Sequence, residues 1–356
     1  MTKSVFAGYT DKELIMTNYI KGFIVLSFFL IACSKGSKSS GGTDLPPTSL
    51  VINAVAAVDS SGNVSVTANA KNAVSYDIDF GNGVIKTVPS GSITYKYPSS
   101  GTYSINIIAK SASGQTISSS TTVTVAVKLS LLWSDEFNTD GAPDASKWGY
   151  DLGGGGWGNN ELEYYTNNPS NVIVQNGVLK ITAIKENLNG SAYTSARLLT
   201  KGKFNFTYGR VDVRAMLPAG AGTWPAIWML GSDIDTTPWP ACGEIDIMEQ
   251  RGSELNKIYG TLHYPGHSGA NGNGSTTTIT NSTTQFHIYS LVWSASTVNI
   301  LVDNQLYQSV PNSGSLPFNS NFFFVLNVAM GGDFGGAVDP NFSSAAMQID
   351  YIRVYQ

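Results

Sequence analysis

Carboxylates alternate with apolar side chains in the segment Gly243-Glu244-Ile245-Asp246-Ile247-Met248-Glu249. Successive side chains of a β-strand face opposite sides, so Glu244 and Asp246 share one face. Glu249 lies five positions after Glu244, and a regular strand would turn it away. One extra residue, a β-bulge, returns it to the same face. The segment therefore predicts a strand with three acids on one surface and Ile245 and Ile247 buried beneath it.

The extra residue is expected to be Met248 or Ile247. Cleavage of a glycosidic bond with retention needs two carboxyl groups about 5–5.5 Å apart. Four strand steps span about 13 Å, so the sheet must curve and carry the acids on its hollow face. Glu244 would attack, Glu249 would donate a proton and then activate water, and Asp246 would hold their pKa values apart. The segment alone leaves two alternatives: an acidic solvent-facing edge strand, and a divalent-cation site.

Three tryptophans, Trp224, Trp228 and Trp239, precede the acids. Flat indole rings suit the C–H faces of glucose-type sugars, and the indole N–H can bond a hydroxyl. Core filling is the alternative for these side chains. The aromatic context favours a sugar-binding cleft beside the acids.

A glycine-rich loop spans residues 153–161. No basic residue or helical pattern follows it, which argues against nucleotide binding. Its amide and carboxylate groups suit sugar hydroxyls, although a surface loop without a ligand fits equally well. His263 and His267 are four apart, but the proline and glycines around them exclude a helix and hence a helical zinc pair. The candidate substrate-binding residues are Trp224, Trp228, Trp239, Asn160, Glu161, Arg197 and His263.

The composition is typical of a globular β protein. The chain has 356 residues, 13% of them charged, and a net charge of -4. Its length suggests about two domains, and its charge favours a neutral substrate over nucleic acid. Short alternating runs such as residues 64–68, 103–109 and 204–217 recur without a long helical period. We predict an all-β protein: a small immunoglobulin-like β-sandwich at 49–127 and a β-jelly-roll sandwich, concanavalin A-like, at 128–356.

The N-terminal residues 1–33 have the pattern of a secretory signal. A lysine precedes an apolar run that is shorter than the about 20 residues of a membrane span. The run ends in Leu30-Ile31-Ala32-Cys33, which resembles the bacterial lipobox. It implies lipidation at Cys33 and an anchor at the bacterial cell surface or outer membrane. An ordinary signal peptide is the alternative. Residues 34–48 form a Gly/Ser/Lys linker, and translation starts at Met1 or Met16.

Residues 49–127 resemble the PKD type of immunoglobulin-like domain. The resemblance rests on Tyr76-Asp77-Ile78-Asp79-Phe80-Gly81-Asn82-Gly83, Tyr95-Lys96-Tyr97 and Gly101-Thr102-Tyr103-Ser104-Ile105. A spacer is the expected role, with glycan binding as the alternative.

Residues 128–356 are similar to glycoside hydrolase family 16, particularly its bacterial laminarinase-like β-glucanases. The matching motifs are Trp133-Ser134-Asp135-Glu136-Phe137, Trp157-Gly158-Asn159-Asn160-Glu161-Leu162-Glu163-Tyr164-Tyr165, Gly222-Thr223-Trp224-Pro225-Ala226-Ile227-Trp228-Met229, Gly243-Glu244-Ile245-Asp246-Ile247-Met248-Glu249 and Gly260-Thr261-Leu262-His263. The resemblance implies Glu244 as nucleophile, Asp246 as its assistant and Glu249 as acid/base.

The same resemblance implies a monomer that needs no cofactor for catalysis. It also implies one structural calcium ion, held by backbone oxygens near Glu136 and Gly177 and by the side chain of Asp350. The expected substrate is laminarin-like or mixed-linkage β-glucan. Two rivals remain: a non-catalytic surface glycan-binding lipoprotein, and a hydrolase of galactans such as agarose or carrageenan.

Overall fold

The computed structural model of the protein describes residues 45–356. The signal segment 1–33, the lipidation site Cys33 and residues 34–44 of the linker lie outside the described residues. The first seven strands are β1 Thr48–Ala56, β2 Asn63–Lys71, β3 Ser75–Asp79, β4 Ile85–Val88, β5 Ser92–Lys96, β6 Gly101–Lys110 and β7 Thr116–Val125. The others are β8 Leu131–Asp135, β9 Gly149–Asp151, β10 Glu163–Tyr165, β11 Val172–Gln175, β12 Val178–Ile184, β13 Tyr193–Ser195, β14 Arg197–Leu199, β15 Gly209–Met216, β16 Thr223–Gly231, β17 Glu244–Glu249, β18 Lys257–His263, β19 Asn273–Thr278, β20 His287–Trp293, β21 Thr297–Val302, β22 Gln305–Pro311, β23 Phe322–Met330 and β24 Ser344–Tyr355.

Strands β1–β7 form two antiparallel sheets, β1-β2-β5 and β4-β3-β6-β7. Strand β2 shows why they pack: Val64 and Val66 are buried while Ser65 and Thr67 face solvent, the period-2 pattern of a half-buried strand. The two sheets share one apolar core drawn from residues 64–125.

Strands β8–β24 form two larger sheets. The ten-stranded sheet has the order β10-β13-β12-β24-β15-β20-β21-β22, with β11 beside β12 and β8 beside β24. The seven-stranded sheet has the order β19-β18-β17-β16-β23-β14-β9. A second core, from Phe137 to Val354, lies between them. The predicted all-β jelly-roll sandwich for this part of the chain is confirmed.

Individual strand predictions can be checked against this topology. Strands β20 and β21 form a hairpin and pair across the turn that follows Trp293. The predicted strand at 204–217 begins later, at Gly209, because the left-handed backbone of Tyr208, with a φ of 63°, interrupts the extended conformation. Helix in the described residues is limited to the 3₁₀ turn Gly269–Asn271 and α1 Gly332–Gly335. None of the described helices is long and apolar enough to cross a membrane.

The change from one core to the other falls between Val125 and Leu131. The domain limits 49–127 and 128–356 stay a prediction.

One face of the seven-stranded sheet packs on the core and the other is open. In β18, Ile258 and Leu262 are buried in the core, whereas Tyr259 and His263 alternate onto the open face. The same alternation in the neighbouring strands presents their polar and tryptophan side chains to the open face, where the candidate site lies.

Candidate active site

Strand β17 carries the three acids and contains the predicted bulge. Trp228 of β16 pairs with Asp246, and Ile227 pairs with Met248. Ile247 therefore has no opposite residue in β16 and is the extra residue of the strand.

The pairing with β18 shows the same irregularity. Asp246 lies opposite Thr261 and Glu249 lies opposite Tyr259, so two residues of β17 face the single Gly260 of β18. The bulge returns Glu249 to the face that carries Asp246. The geometric prediction made from the residue spacing is confirmed.

Tryptophan N–H groups hold the two outer acids. Trp239 Nε1 donates to Glu244 Oε2 over 2.9 Å, and Trp224 Nε1 donates to Glu249 Oε1 over 2.8 Å. Asp246 lies between the two glutamates and is only 4% exposed. The three carboxyls line one cavity of about 360 Å³.

Burial raises the pKa of all three carboxyl groups. The charge of Asp246 further raises the pKa of Glu244, while the Trp224 hydrogen bond opposes the rise in the pKa of Glu249. Three close acids, of which Asp246 and Glu249 are buried and Glu244 is partly buried, cannot all ionise without mutual repulsion. The group therefore retains protons at a pH where isolated carboxyls have lost theirs, as a general acid must.

His263 completes the acid group. Its Nε2 lies 3.1 Å from Asp246 Oδ2 and 3.8 Å from Glu244 Oε1. One donor atom of each of these three residues lies within 4.8 Å of the others, so they could coordinate a cation. His267 instead pairs with Tyr264 in a turn, which agrees with the predicted absence of a helical histidine pair.

Arg197 lies between two indole rings. Its guanidinium carbon is 4.9 Å from the ring centroids of Trp157 and of Trp228, and its Nε lies 3.0 Å from Asp151 Oδ2. Such cation–π contacts hold a guanidinium in one orientation. Trp228 is further fixed because its Nε1 donates to Asn327 Oδ1 over 2.8 Å. This side of the cavity is therefore aromatic, and contacts within the protein hold its side chains in place.

The glycine-rich loop reaches the same cavity through Asn159 and Glu161. Asn159 Nδ2 donates to Glu161 Oε1 over 3.0 Å, and the Tyr165 hydroxyl donates to Glu161 Oε2 over 2.9 Å. Asn160 has a backbone φ of 57° and donates instead to Asp333 over 2.8 Å. The left-handed turn directs the predicted Asn160 out of the cavity lining, and Asn159 takes that place.

A second cavity of about 700 Å³ continues from the first. Both are lined by Asn159, Trp224, Trp239, Glu244 and Glu249. The acids thus lie in the middle of an open groove rather than at its end. Its further lining residues include Arg251, Tyr259, Thr261, His263, Asp333 and Phe334.

The predicted calcium ligands meet at one point of the ten-stranded sheet. Strand β24 is irregular at Asp350, and β8 ends and β12 begins beside that residue, which brings the backbones of Glu136 and Gly177 close to it. However, the Asp350 carboxylate accepts a 2.5 Å hydrogen bond from Arg214. A guanidinium on the one side-chain ligand opposes a divalent cation there, so an ion would have to displace Arg214 from Asp350.

Several residues of the groove escaped the sequence analysis. Trp157 belongs to the quoted glycine-rich motif, and Arg251 follows Glu249 by two positions, so proximity in sequence could have pointed to both. Asn327 and Tyr259 carry no local signal, because only strand pairing brings β23 and β18 beside the acids.

An acid pair on a bulged strand, in an open groove with tryptophan walls, is the arrangement of a glycoside hydrolase. The family model described as glycosyl hydrolases family 16 matches residues 159–353. A β-glucanase of Rhodothermus marinus is 43% identical over 242 residues, covering 64% of this chain and 85% of that protein. Glucan endo-1,3-β-glucosidase A1 of Niallia circulans is 38% identical over 64% of this chain but only 38% of its own length.

The fold agrees with these matches. The X-ray structure of the laminarinase from Rhodothermus marinus superposes with a TM-score of 0.62 at 42% identity, covering 64% of this chain and 98% of that one. The chain belongs to glycosyl hydrolase family 16. It is a glycoside hydrolase.

Proposed function

We propose that the protein is a retaining endo-β-glucanase. It cuts internal β-1,3 bonds of laminarin-like glucan, or β-1,4 bonds of mixed-linkage β-1,3-1,4-glucan. The observation that carries the proposal is the bulge at Ile247, which puts Glu249 on the same face of β17 as Glu244 and Asp246.

In the first step a Glu244 carboxylate oxygen attacks the anomeric carbon. The bond from that carbon to the glycosidic oxygen breaks, and the proton of Glu249 passes to the leaving oxygen. The products are a glycosyl ester on Glu244, an ionised Glu249 and a released sugar hydroxyl. The Trp239 hydrogen bond supports this role for Glu244, because it stabilises the ionised form.

In the second step Glu249 takes a proton from water, and the water oxygen attacks the same carbon. The ester bond breaks, Glu244 leaves as a carboxylate, and Glu249 regains its proton. Two inversions give net retention. Asp246 and His263, which are 3.1 Å apart, can redistribute charge beside Glu244 during both steps.

Attack inside a polymer, rather than at its end, is supported by the groove. The cavities on the two sides of the acids share a boundary formed by Trp224 and Trp239. Sugar units can therefore lie on both sides of the bond that is cut. Indole faces in the groove suit glucose units, whose C–H groups are largely axial.

Stereochemistry and products test the proposal directly. Proton NMR of laminarin digestion should show the β-anomer first, followed by slow mutarotation. Early products should be oligosaccharides of mixed length, and Glu244→Gln should lower kcat by at least about 1,000-fold with an unchanged circular dichroism spectrum. An α-anomer as first product, or near-normal turnover by Glu244→Gln, would refute the mechanism. Parallel digests of laminarin, barley β-glucan and lichenan assign the linkage.

We also propose that the protein is a lipoprotein anchored at Cys33 on the bacterial cell surface or outer membrane. The proposal rests on the signal-like segment 1–33 and its terminal Leu-Ile-Ala-Cys. In the native host, the unaltered protein should fractionate with membranes, whereas the Cys33→Ser variant should not fractionate with them. Equal fractionation of both would contradict the anchor.

Residues 49–127 are proposed to be a PKD-type immunoglobulin-like spacer, and the whole protein a monomer. Two packed antiparallel sheets support the first proposal. Removal of 49–127 should leave kcat on soluble laminarin unchanged, and scattering should give the mass of one chain.

We also propose a structural calcium ion at Asp350, which would take the place of Arg214 and is supported by the approach of the Glu136 and Gly177 backbones. The test is thermal unfolding with calcium and with a chelator. An unchanged midpoint would remove the ion from the account.

A further inference from the structure

The bulge in β17 leaves a backbone carbonyl that the sheet does not use in the regular way. Ile247 has no opposite residue in β16, so its carbonyl lies where the ladder of hydrogen bonds is interrupted. Buried carbonyls are almost always paired. The Tyr307 hydroxyl donates to Ile247 O over 3.3 Å.

Tyr307 comes from the opposite layer of the sandwich. It belongs to β22, the edge strand of the ten-stranded sheet, and its ring packs against the core. The Tyr307 side chain therefore extends across the core, and its hydroxyl reaches β17. Burial, together with the charges of Glu249 and Asp246, raises the pKa of Tyr307 well above its usual value, so the hydroxyl remains a donor at any working pH.

Gly260 provides the space that this contact needs. It faces the bulge from β18, and a Cβ atom at this position would lie 2.6 Å from the Tyr307 hydroxyl and 3.1 Å from Ile300 Cδ1. Any larger residue would displace the tyrosine or the strand. Its backbone φ is not in the left-handed region, so close approach rather than backbone conformation explains this glycine.

We propose that Tyr307 is a positioning residue that holds the bulge at Ile247, with Gly260 making room for it, and thereby aims Glu249 at the leaving-group oxygen. Loss of the bulge would shift the register by one residue and turn Glu249 toward the other face. The hydrogen bond thus acts on the chemistry through the backbone, without touching substrate. The inference rests on the proposed role of Glu249 as acid/base.

The test uses two substrates that differ in their need for an acid. Laminarin requires protonation of the leaving oxygen, whereas a 2,4-dinitrophenyl β-laminaribioside releases a stable anion without it. Tyr307→Phe keeps the ring in the core. It should lower kcat/KM on laminarin about 10- to 100-fold, as expected for a displacement near 1 Å, and change kcat/KM on the aryl substrate less than about 3-fold. The ratio kcat/KM is compared because it reports the first step, in which Glu249 acts as the acid, whereas kcat on the aryl substrate also reports the second step, in which Glu249 acts as the base.

Tyr289→Phe is the matched control. Tyr289 is a fully buried tyrosine of the same ten-stranded sheet, and among the described residues its hydroxyl has no hydrogen-bond partner. It should leave both activities unchanged. Gly260→Ala should reproduce the leaving-group dependence of Tyr307→Phe, since the added methyl displaces the hydroxyl.

Equal losses of kcat/KM on both substrates in Tyr307→Phe, or no loss of kcat/KM on laminarin, would overturn the inference. Failure of the proposed function is a separate result, because the unaltered protein would then hydrolyse neither substrate.

Discussion

Two groups of buried carboxyls lie beside the groove, and they differ in what they face. The β17 acid group, Glu244, Asp246 and Glu249, opens onto the cavity with indole N–H donors on both glutamates. The loop acid pair, Glu161 and Glu163, begins at the cavity with Glu161 and ends with Glu163 fully buried.

Protein groups donate hydrogen bonds to both members of the loop acid pair. Glu163 Oε2 accepts from the Met330 backbone N–H over 2.6 Å, and Glu161 accepts from Asn159 and Tyr165. Burial and the neighbouring Glu161 raise the pKa of Glu163 to about 9. Raised pKa values therefore occur in both groups. Only access to the cavity distinguishes the acids proposed to react with substrate from the acids that support the fold.

The largest difference between the groups should appear in turnover. Glu249→Gln should lower kcat on laminarin at least about 1,000-fold, because an amide cannot donate the proton. Glu163→Gln should retain most of the activity, because its amide can donate to Glu161 and its oxygen can accept from Met330, as a protonated Glu163 does. Steady-state kinetics of the two purified variants measures the contrast. Comparable losses would erase the distinction drawn between the two groups.

Asp246→Asn should have the next largest effect. The charge of Asp246 raises the pKa of Glu244, so its removal should lower that pKa and move the acidic limb of the pH–kcat profile to lower pH. We also expect kcat to fall about 10- to 100-fold, within the usual range for groups that assist acid–base chemistry. A pH–rate profile measures both effects. An acidic limb that moves to higher pH would contradict the assigned interaction.

The strand, its irregularity and the tryptophans beside it could be predicted from local sequence. The spacing from Glu244 to Glu249 conflicts with strict alternation, and a bulge resolves the conflict. The alternating pattern likewise predicts the buried and open faces of the sheet. What was missed depends on pairing between distant segments: Tyr307 reaches β17 from β22, and Asn327 reaches Trp228 from β23.

The sequence pattern predicts Asn160 in the substrate site, whereas Asn159 lines the cavity. This difference has another cause. Two adjacent asparagines are indistinguishable by composition, and the left-handed backbone of Asn160 decides which side chain enters the cavity. The calcium prediction did not anticipate Arg214, because the residue that neutralises Asp350 lies on a neighbouring strand. Backbone conformation and long-range ion pairs leave little trace in a single sequence.

Tyr165→Phe should show that the loop acid pair acts on binding rather than on chemistry. The Tyr165 hydroxyl donates to Glu161 and accepts from Asn327, which in turn accepts the indole N–H of Trp228. Loss of this hydroxyl frees Trp228 to reorient, so KM should rise about 5-fold, equivalent to the about 1 kcal/mol of a typical hydrogen bond. kcat should stay within about 2-fold of that of the unaltered enzyme, because the lost hydrogen bond affects binding and not the reacting acids. A loss confined to kcat would connect the pair to the chemistry after all.

Glu163→Gln should have the smallest effect on turnover, but it should change how the stability of the protein depends on pH. The folded-state pKa of Glu163 is raised from its ordinary 4.5 to about 9. The folded protein therefore favours the protonated acid: its stability contribution is complete below pH 4.5 and is lost as pH rises toward 9. A glutamine is neutral throughout, so Glu163→Gln should equal the unaltered protein near pH 4 and exceed it near pH 8.

We expect a gain of about 1–2 kcal/mol in the free energy of unfolding at pH 8, well below the full linkage value. Denaturant unfolding at the two pH values measures it. Glu186→Gln, at an exposed glutamate, controls for the loss of one charge and should show no pH-dependent gain. Destabilisation of the protein by Glu163→Gln at pH 8 would contradict the raised pKa of Glu163, because it would indicate that the folded protein stabilises the ionised carboxylate.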